Sequence, residues 1–140
     1  CKQLCKFLYS KGEVLMKPEK LISYACDAQD NSQSQYSNFP VGSALLSDDG
    51  KVILGCNVES AVYPNTLCAE RVAIYSAISQ GYTKFKAIAI VSKTGAKPCG
   101  SCRQTIYEYL GNVPIYVSDS TGSKISTYYI KDLLPYPFDL

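Results

Sequence analysis

Three cysteines and one glutamate supply residue types suited to hydrolytic metal chemistry: Cys68, Glu70, Cys99 and Cys102. Cys99 and Cys102 stand three apart, a spacing that puts two side chains on one face of a helical turn. Cys68 and Glu70 stand at what reads as the start of another helix. A helix N-terminus offers unpaired N–H groups and the positive end of the macrodipole, so it favours thiolate over thiol. Three thiolates without a fourth protein ligand suit a catalytic zinc, one per chain, with one coordination position open. Glu70 is then close enough to serve a water at that position without binding the metal itself. The sequence contains no histidine. That excludes Ser-His-Asp triads, Cys-His proteases, haem attachment through Cys-x-x-Cys-His, and every zinc site that uses histidine. Two plainer readings compete: three buried thiols that only pack, and a redox Cys-x-x-Cys pair.

The elements that must position these residues follow from pattern. A helix opens at Pro18, with Glu19 favourable near that end, and carries Leu21, Ile22, Ala25, Cys26 and Ala28 at helical spacing to about residue 31. Residues 41–46 and 52–58 read as strands around the turn Ser47-Asp-Asp-Gly50, hence a hairpin. A helix over residues 67–80 ends at Gly81, and residues 87–91 form a wholly apolar buried strand. Pro98 leads into a helix over about 99–110, closed by Gly111. Strands at 115–117 and 124–129 follow, then a short helical turn at 130–134 that Pro135 stops. From residue 52 the order is strand, helix, strand, helix, strand, which predicts parallel pairing through right-handed crossovers. The expected fold is one three-layer α/β/α domain over residues 18–140. Its five-stranded sheet is expected to be mostly parallel with an antiparallel hairpin edge, behind an N-terminal extension over residues 1–17. Both crossover helices would start at carboxyl ends of strands, where ligand sites form in such sheets.

Composition narrows the class. The 140 residues are 46% hydrophobic and 19% charged, with a net charge of +2 at pH 7. That is a globular balance, far from the basic surplus of a dedicated nucleic-acid binder. No apolar run approaches the ~18 residues needed to span a membrane, and the N-terminal residues lack a signal peptide's apolar stretch. Seven cysteines cannot all pair within one chain. Reduced thiols are the expectation, which points to the cytoplasm. Cys26 and Cys56 read as packing residues, Cys1 and Cys5 as part of an exposed tail.

The assembled pattern Cys68-Ala-Glu70 … Pro98-Cys99-Gly-Ser-Cys102 matches zinc-dependent nucleobase deaminases in their three-cysteine form. Three further motifs extend the match: Phe39-Pro-Val-Gly42, Asn57-Val-Glu59-Ser-Ala-Val-Tyr63, and the ending Leu133-Leu-Pro135. With Arg71 completing Cys68-Ala-Glu-Arg71, the chain resembles the small, homotetrameric cytidine deaminases from about Tyr36 to Leu134.

That resemblance implies an activity and a set of roles. Cys68, Cys99 and Cys102 would hold zinc, and Glu70 would move protons from water to the pyrimidine and to departing ammonia. Asn57 and Glu59 would hydrogen-bond ribose hydroxyls, with Tyr63 also on the substrate side. Phe39 would pack on the base, while backbone near Ala69 and Ser101 reads the pyrimidine edge. Phe138 would reach into a neighbouring subunit's site, with Tyr136 as the other aromatic available there. Arg71 would donate to ligand sulfurs and moderate their charge; Arg103 is either a second such donor or a solvent-facing charge. The implied substrates are cytidine and deoxycytidine as free nucleosides in pyrimidine salvage. Enzymes that edit DNA or RNA usually use a histidine ligand and need a basic groove. A blasticidin-type deaminase shares the cysteine motifs but not the expected Asn-x-Glu segment.

Overall fold

The computed structural model describes residues 16–140. Cys1, Cys5 and nearly all of the expected extension lie outside the described residues. Helix α1 (Pro18–Gln29) starts with proline in its first turn and Glu19 beside it. It buries Leu21, Ile22, Ala25 and Ala28, the apolar positions that recur at helical spacing. The hairpin follows as β1 (Val41–Ser47) and β2 (Val52–Cys56). Then come α2 (Ala69–Ser79), β3 (Phe85–Ser92), α3 (Gly100–Leu110), β4 (Ile115–Asp119), β5 (Ile125–Tyr128) and a short α4 (Ile130–Leu133).

Three layers and five strands are as expected, but the pairing is not mostly parallel. Strand order is β2-β1-β3-β4-β5, and among the strands of the described residues β3 and β4 form the one parallel pair. The β2–β1, β1–β3 and β4–β5 pairs are antiparallel. The physical reason is where β1 lies. β2 and β3 do run the same way, as a strand–helix–strand crossover requires, but β1 fills the space between them. Its register with β3 is set by two apolar faces at once. Ala44 and Leu46 pack with α1 and Ala87, Ala89 and Val91, whereas Leu45 packs with Ile88, Ile90 and helix α2. A slip of one residue would exchange the two faces.

Two glycines mark where helices lie closest to the sheet. A Cβ on Gly42 would sit 2.0 Å from the Ala25 carbonyl oxygen of α1. One on Gly55 would sit 2.3 Å from the Ala69 carbonyl oxygen and 2.5 Å from the Ala73 nitrogen of α2. The second approach fixes the first turn of α2 against β2. Gly42 is paired with both Cys56 and Val91, so the start of β1 lies between the carboxyl ends of β2 and β3. The chain enters α2 and α3 from that edge of the sheet.

Candidate active site

Cys68 and Cys99 occupy the residue just before the first turn of α2 and α3 respectively. That position is normally taken by Ser, Thr, Asp or Asn, whose side chain caps the helix. Neither cysteine side chain makes a capping hydrogen bond. Both sulfurs are left to meet Cys102, one turn into α3. The three Sγ atoms lie within 4.8 Å of one another, with Cys68 and Cys99 3.9 Å apart. Four ligands at ~2.3 Å in a tetrahedron place sulfurs about 3.8 Å apart. The trio therefore fits a zinc ion, and among the described residues no other group of potential ligands gathers in this way. Cys26 and Cys56 are free, half-buried thiols away from it, each with its thiol pKa raised first by burial.

Charge is arranged around the trio. Hydrogen bonding from Cys102 holds the Cys68 thiol down to about 5 against the opposing effect of burial, and Arg71 adds to the lowering. Cys102 is pushed up by the same hydrogen bond and by burial. Arg71 Nη2 donates to Cys68 Sγ at 3.6 Å and to the Thr66 carbonyl at 3.5 Å. Burial works against its charge, but the hydrogen bond and negative charge of Cys68 outweigh this and raise its pKa. Arg71 Nε is buried with no hydrogen-bond partner. Glu70 is only 4% exposed, and burial first, then the charge of Cys68, lifts its carboxyl to about 7.

Arg103 is neither a sulfur donor nor a solvent-facing charge. Its Nε donates to the Pro98 carbonyl and its Nη1 to the Leu133 carbonyl, each at 2.8 Å. It ties the loop before α3 to the carboxyl-terminal segment.

A second cluster gathers Phe39, Asn57 and Glu59. Asn57 Oδ1 accepts from Val41 N at 2.8 Å and Ser32 Oγ at 2.5 Å, and Asn57 Nδ2 donates to the Phe39 carbonyl at 2.9 Å. Glu59 Oε2 accepts from the N–H groups of Tyr36 (2.8 Å) and Ser37 (3.0 Å), and Glu59 Oε1 from the Ser37 hydroxyl. Phe39 is half-buried. Tyr63 is 75% exposed and meets Tyr36 edge-on, ring centres 6.5 Å apart. Ala69 is fully buried. Phe138 is 67% exposed, and its backbone pairs with both ends of the Gln104 amide at 2.8 and 3.1 Å. Sequence reasoning missed Ser32, Tyr36, Ser37 and Gln104. Only the adjacency of Tyr36 and Ser37 to the Phe39 motif could have pointed to two of them.

A buried carboxylate beside three gathered thiols, on an α/β sheet edge, defines a metal-dependent hydrolytic site. The chain belongs to the cytidine and deoxycytidylate deaminase family: the model of that family's zinc-binding region matches residues 16–117. A cytidine deaminase of Sporosarcina psychrophila is 44% identical over 126 residues, covering 88% of this chain and 92% of that protein. One from Halalkalibacterium halodurans is 41% identical over 120 residues, covering 79% and 91%. The crystal structure of a cytidine deaminase from Burkholderia pseudomallei superposes with a TM-score of 0.82 at 40% identity, covering 88% of this chain and all of that one.

Proposed function

We propose that this chain hydrolyses cytidine to uridine and ammonia, and deoxycytidine likewise. The observation that carries the reading is Glu70, a carboxyl buried in the first turn of α2 and held near neutrality beside the thiol trio. Cys68, Cys99 and Cys102 would hold the zinc, which when bound would supply a Lewis acid that lowers the pKa of water toward neutrality. Glu70 accepts the proton lost by water and gives it to ring N3 as C4 is attacked, then takes the remaining proton of the oxygen added at C4 and passes it to the departing amine as the C4 carbonyl forms. A carboxyl titrating about 7 suits this traffic, because both of its forms are populated at working pH.

Phe39 packs on the base, and Asn57 and Glu59 take the sugar. Their hydrogen bonding within the chain leaves a specific remainder. Asn57 Oδ1 has both lone pairs occupied, and Nδ2 keeps one N–H. Glu59 Oε2 is filled, and Oε1 keeps one acceptor position. One donor and one acceptor suit a single hydroxyl, which supports turnover of ribosides and deoxyribosides alike. Exposed Tyr136 and Phe138 support a homotetramer in which the carboxyl-terminal segment completes a neighbouring site. We place the enzyme in the cytoplasm, acting in pyrimidine salvage; among the described residues no helix is long and apolar enough to cross a membrane.

The test is direct. Cytidine and deoxycytidine are each incubated with the protein, and conversion is followed by ultraviolet absorbance with and without a chelator. Conversion that a chelator abolishes and added zinc restores is expected. Activity undiminished in protein shown by elemental analysis to lack metal contradicts the reading.

A further inference from the structure

We infer that Ser37 is a positioning residue, whose hydroxyl sets the Glu59 carboxylate for the sugar and couples it to Phe39 beneath the base. The inference rests on the sugar-reading role proposed above for Glu59. Glutamate has three side-chain torsions, so an unheld carboxylate at an exposed strand end loses conformational freedom when substrate binds. Here that freedom is already gone. Glu59 is fixed at its backbone by donation from its N–H to the Gln33 carbonyl at 2.9 Å, and at its head by three donors from residues 36 and 37.

The hydroxyl of Ser37 differs from the other two donors. It has one proton, given to Glu59 Oε1, and it accepts the Phe39 N–H at 3.1 Å. The Phe39 carbonyl in turn accepts from Asn57. One hydroxyl therefore links the residue assigned to the base with the carboxylate assigned to the sugar. The turn itself does not depend on it. Asn38 takes a left-handed conformation (φ 54°), which asparagine tolerates, and its N–H closes the turn on the Ser34 carbonyl at 2.8 Å. Removing the hydroxyl should leave the turn folded and free one carboxylate oxygen to wander.

Steady-state kinetics on cytidine test this with Ser37→Ala, Ser37→Thr, Glu59→Ala and the double variant Ser37→Ala/Glu59→Ala. Ser37→Ala is expected to raise KM about fivefold to tenfold, less than the full loss of a hydrogen bond to a charged group because the Tyr36 and Ser37 N–H groups still hold Oε2, and to raise KM more than it lowers kcat. Ser37→Thr keeps the hydroxyl and should return KM to within about twofold of wild type. With Glu59 already truncated, the Ser37→Ala change should add less than about twofold, because its route to the sugar is gone. A Ser37→Ala effect of equal size in both backgrounds, or no KM effect at all, overturns the inference. Thermal unfolding of each variant reports any loss of fold. A wild-type chain that does not deaminate cytidine sinks the proposed function and this inference together; an active wild type with independent effects sinks this inference alone.

Discussion

Glu70 can be replaced by glutamine with almost no change of shape, so the exchange isolates its protons from its packing. Glu70→Gln should keep the fold and metal content while kcat falls by ~10²–10⁴. A variant within tenfold of wild type means that Glu70 is structural. Arg71 faces the thiol trio with a positive charge. Without it the negative charge on the ligands goes uncompensated, and the metal they hold becomes a weaker acid. Arg71→Gln should therefore retain zinc, lower kcat at neutral pH and move the pH–activity profile upward; an unchanged profile assigns the compensation to the two helix N-termini. Glu59 carries a pH prediction of opposite sense. The hydroxyl and N–H of Ser37, with the Tyr36 N–H, hold its carboxyl below the ordinary 4.5. A group lowered on folding contributes above its unfolded value and loses that contribution as pH falls through the lower folded one. KM for cytidine should thus show no step as pH falls to about 4.5, where an unheld carboxyl would be half protonated. A rise of KM centred near 4.5, tracked by initial rates and separate from the Glu70 step, contradicts a held carboxylate.

At the scale of elements, the site depends on how closely α2 sits on β2. Gly55→Ala would drive a methyl group into the backbone at Ala69 and Ala73, which cannot rotate away. Overpacking of this kind costs about 1–3 kcal/mol or more, and it falls on the turn that carries Glu70. The variant is expected to melt lower and to lose activity beyond its loss of folded protein, measured as kcat per zinc bound. The Cys-x-Glu and Cys-x-x-Cys spacings were readable because a helical turn converts sequence spacing directly into shared faces. Asn57 and Glu59 were readable as types but not as partners. Their donors Ser32, Tyr36 and Ser37 come from an irregular stretch with no period to reveal them. Strand order was hidden for a related reason. Alternating strands and helices show that β2 and β3 run in one direction, but nothing local says that β1 enters between them.

For the molecule as a whole, a metal held by Cys68 and Cys99 joins points 31 residues apart. A cross-link closing a loop of that size restricts the unfolded chain by about 3–4 kcal/mol. Chelation should accordingly lower Tm by roughly 10 °C, reversibly on adding zinc, as scanning calorimetry would record. Light scattering should give the mass of four chains; a fully active monomer contradicts completion of the site by a neighbour. The central position of β1 also has a consequence in time. Its pairing with β2 closes across one tight turn, an event of microseconds. Its pairing with β3 joins residues as far apart in the chain as Val41 and Ser92, and such contacts form late because loop entropy is lost before they repay it. Helix α2 rests mainly on that early hairpin, but α3, which carries Cys102 and follows Cys99, comes after β3 in the chain and completes the trio only once that slow step is done. The nascent chain therefore passes through a stage with a hairpin but no metal-binding pocket. Refolding followed by pulses of a thiol reagent should find Cys68 and Cys99 open to modification until the slow phase ends, and zinc added earlier should leave that rate unchanged.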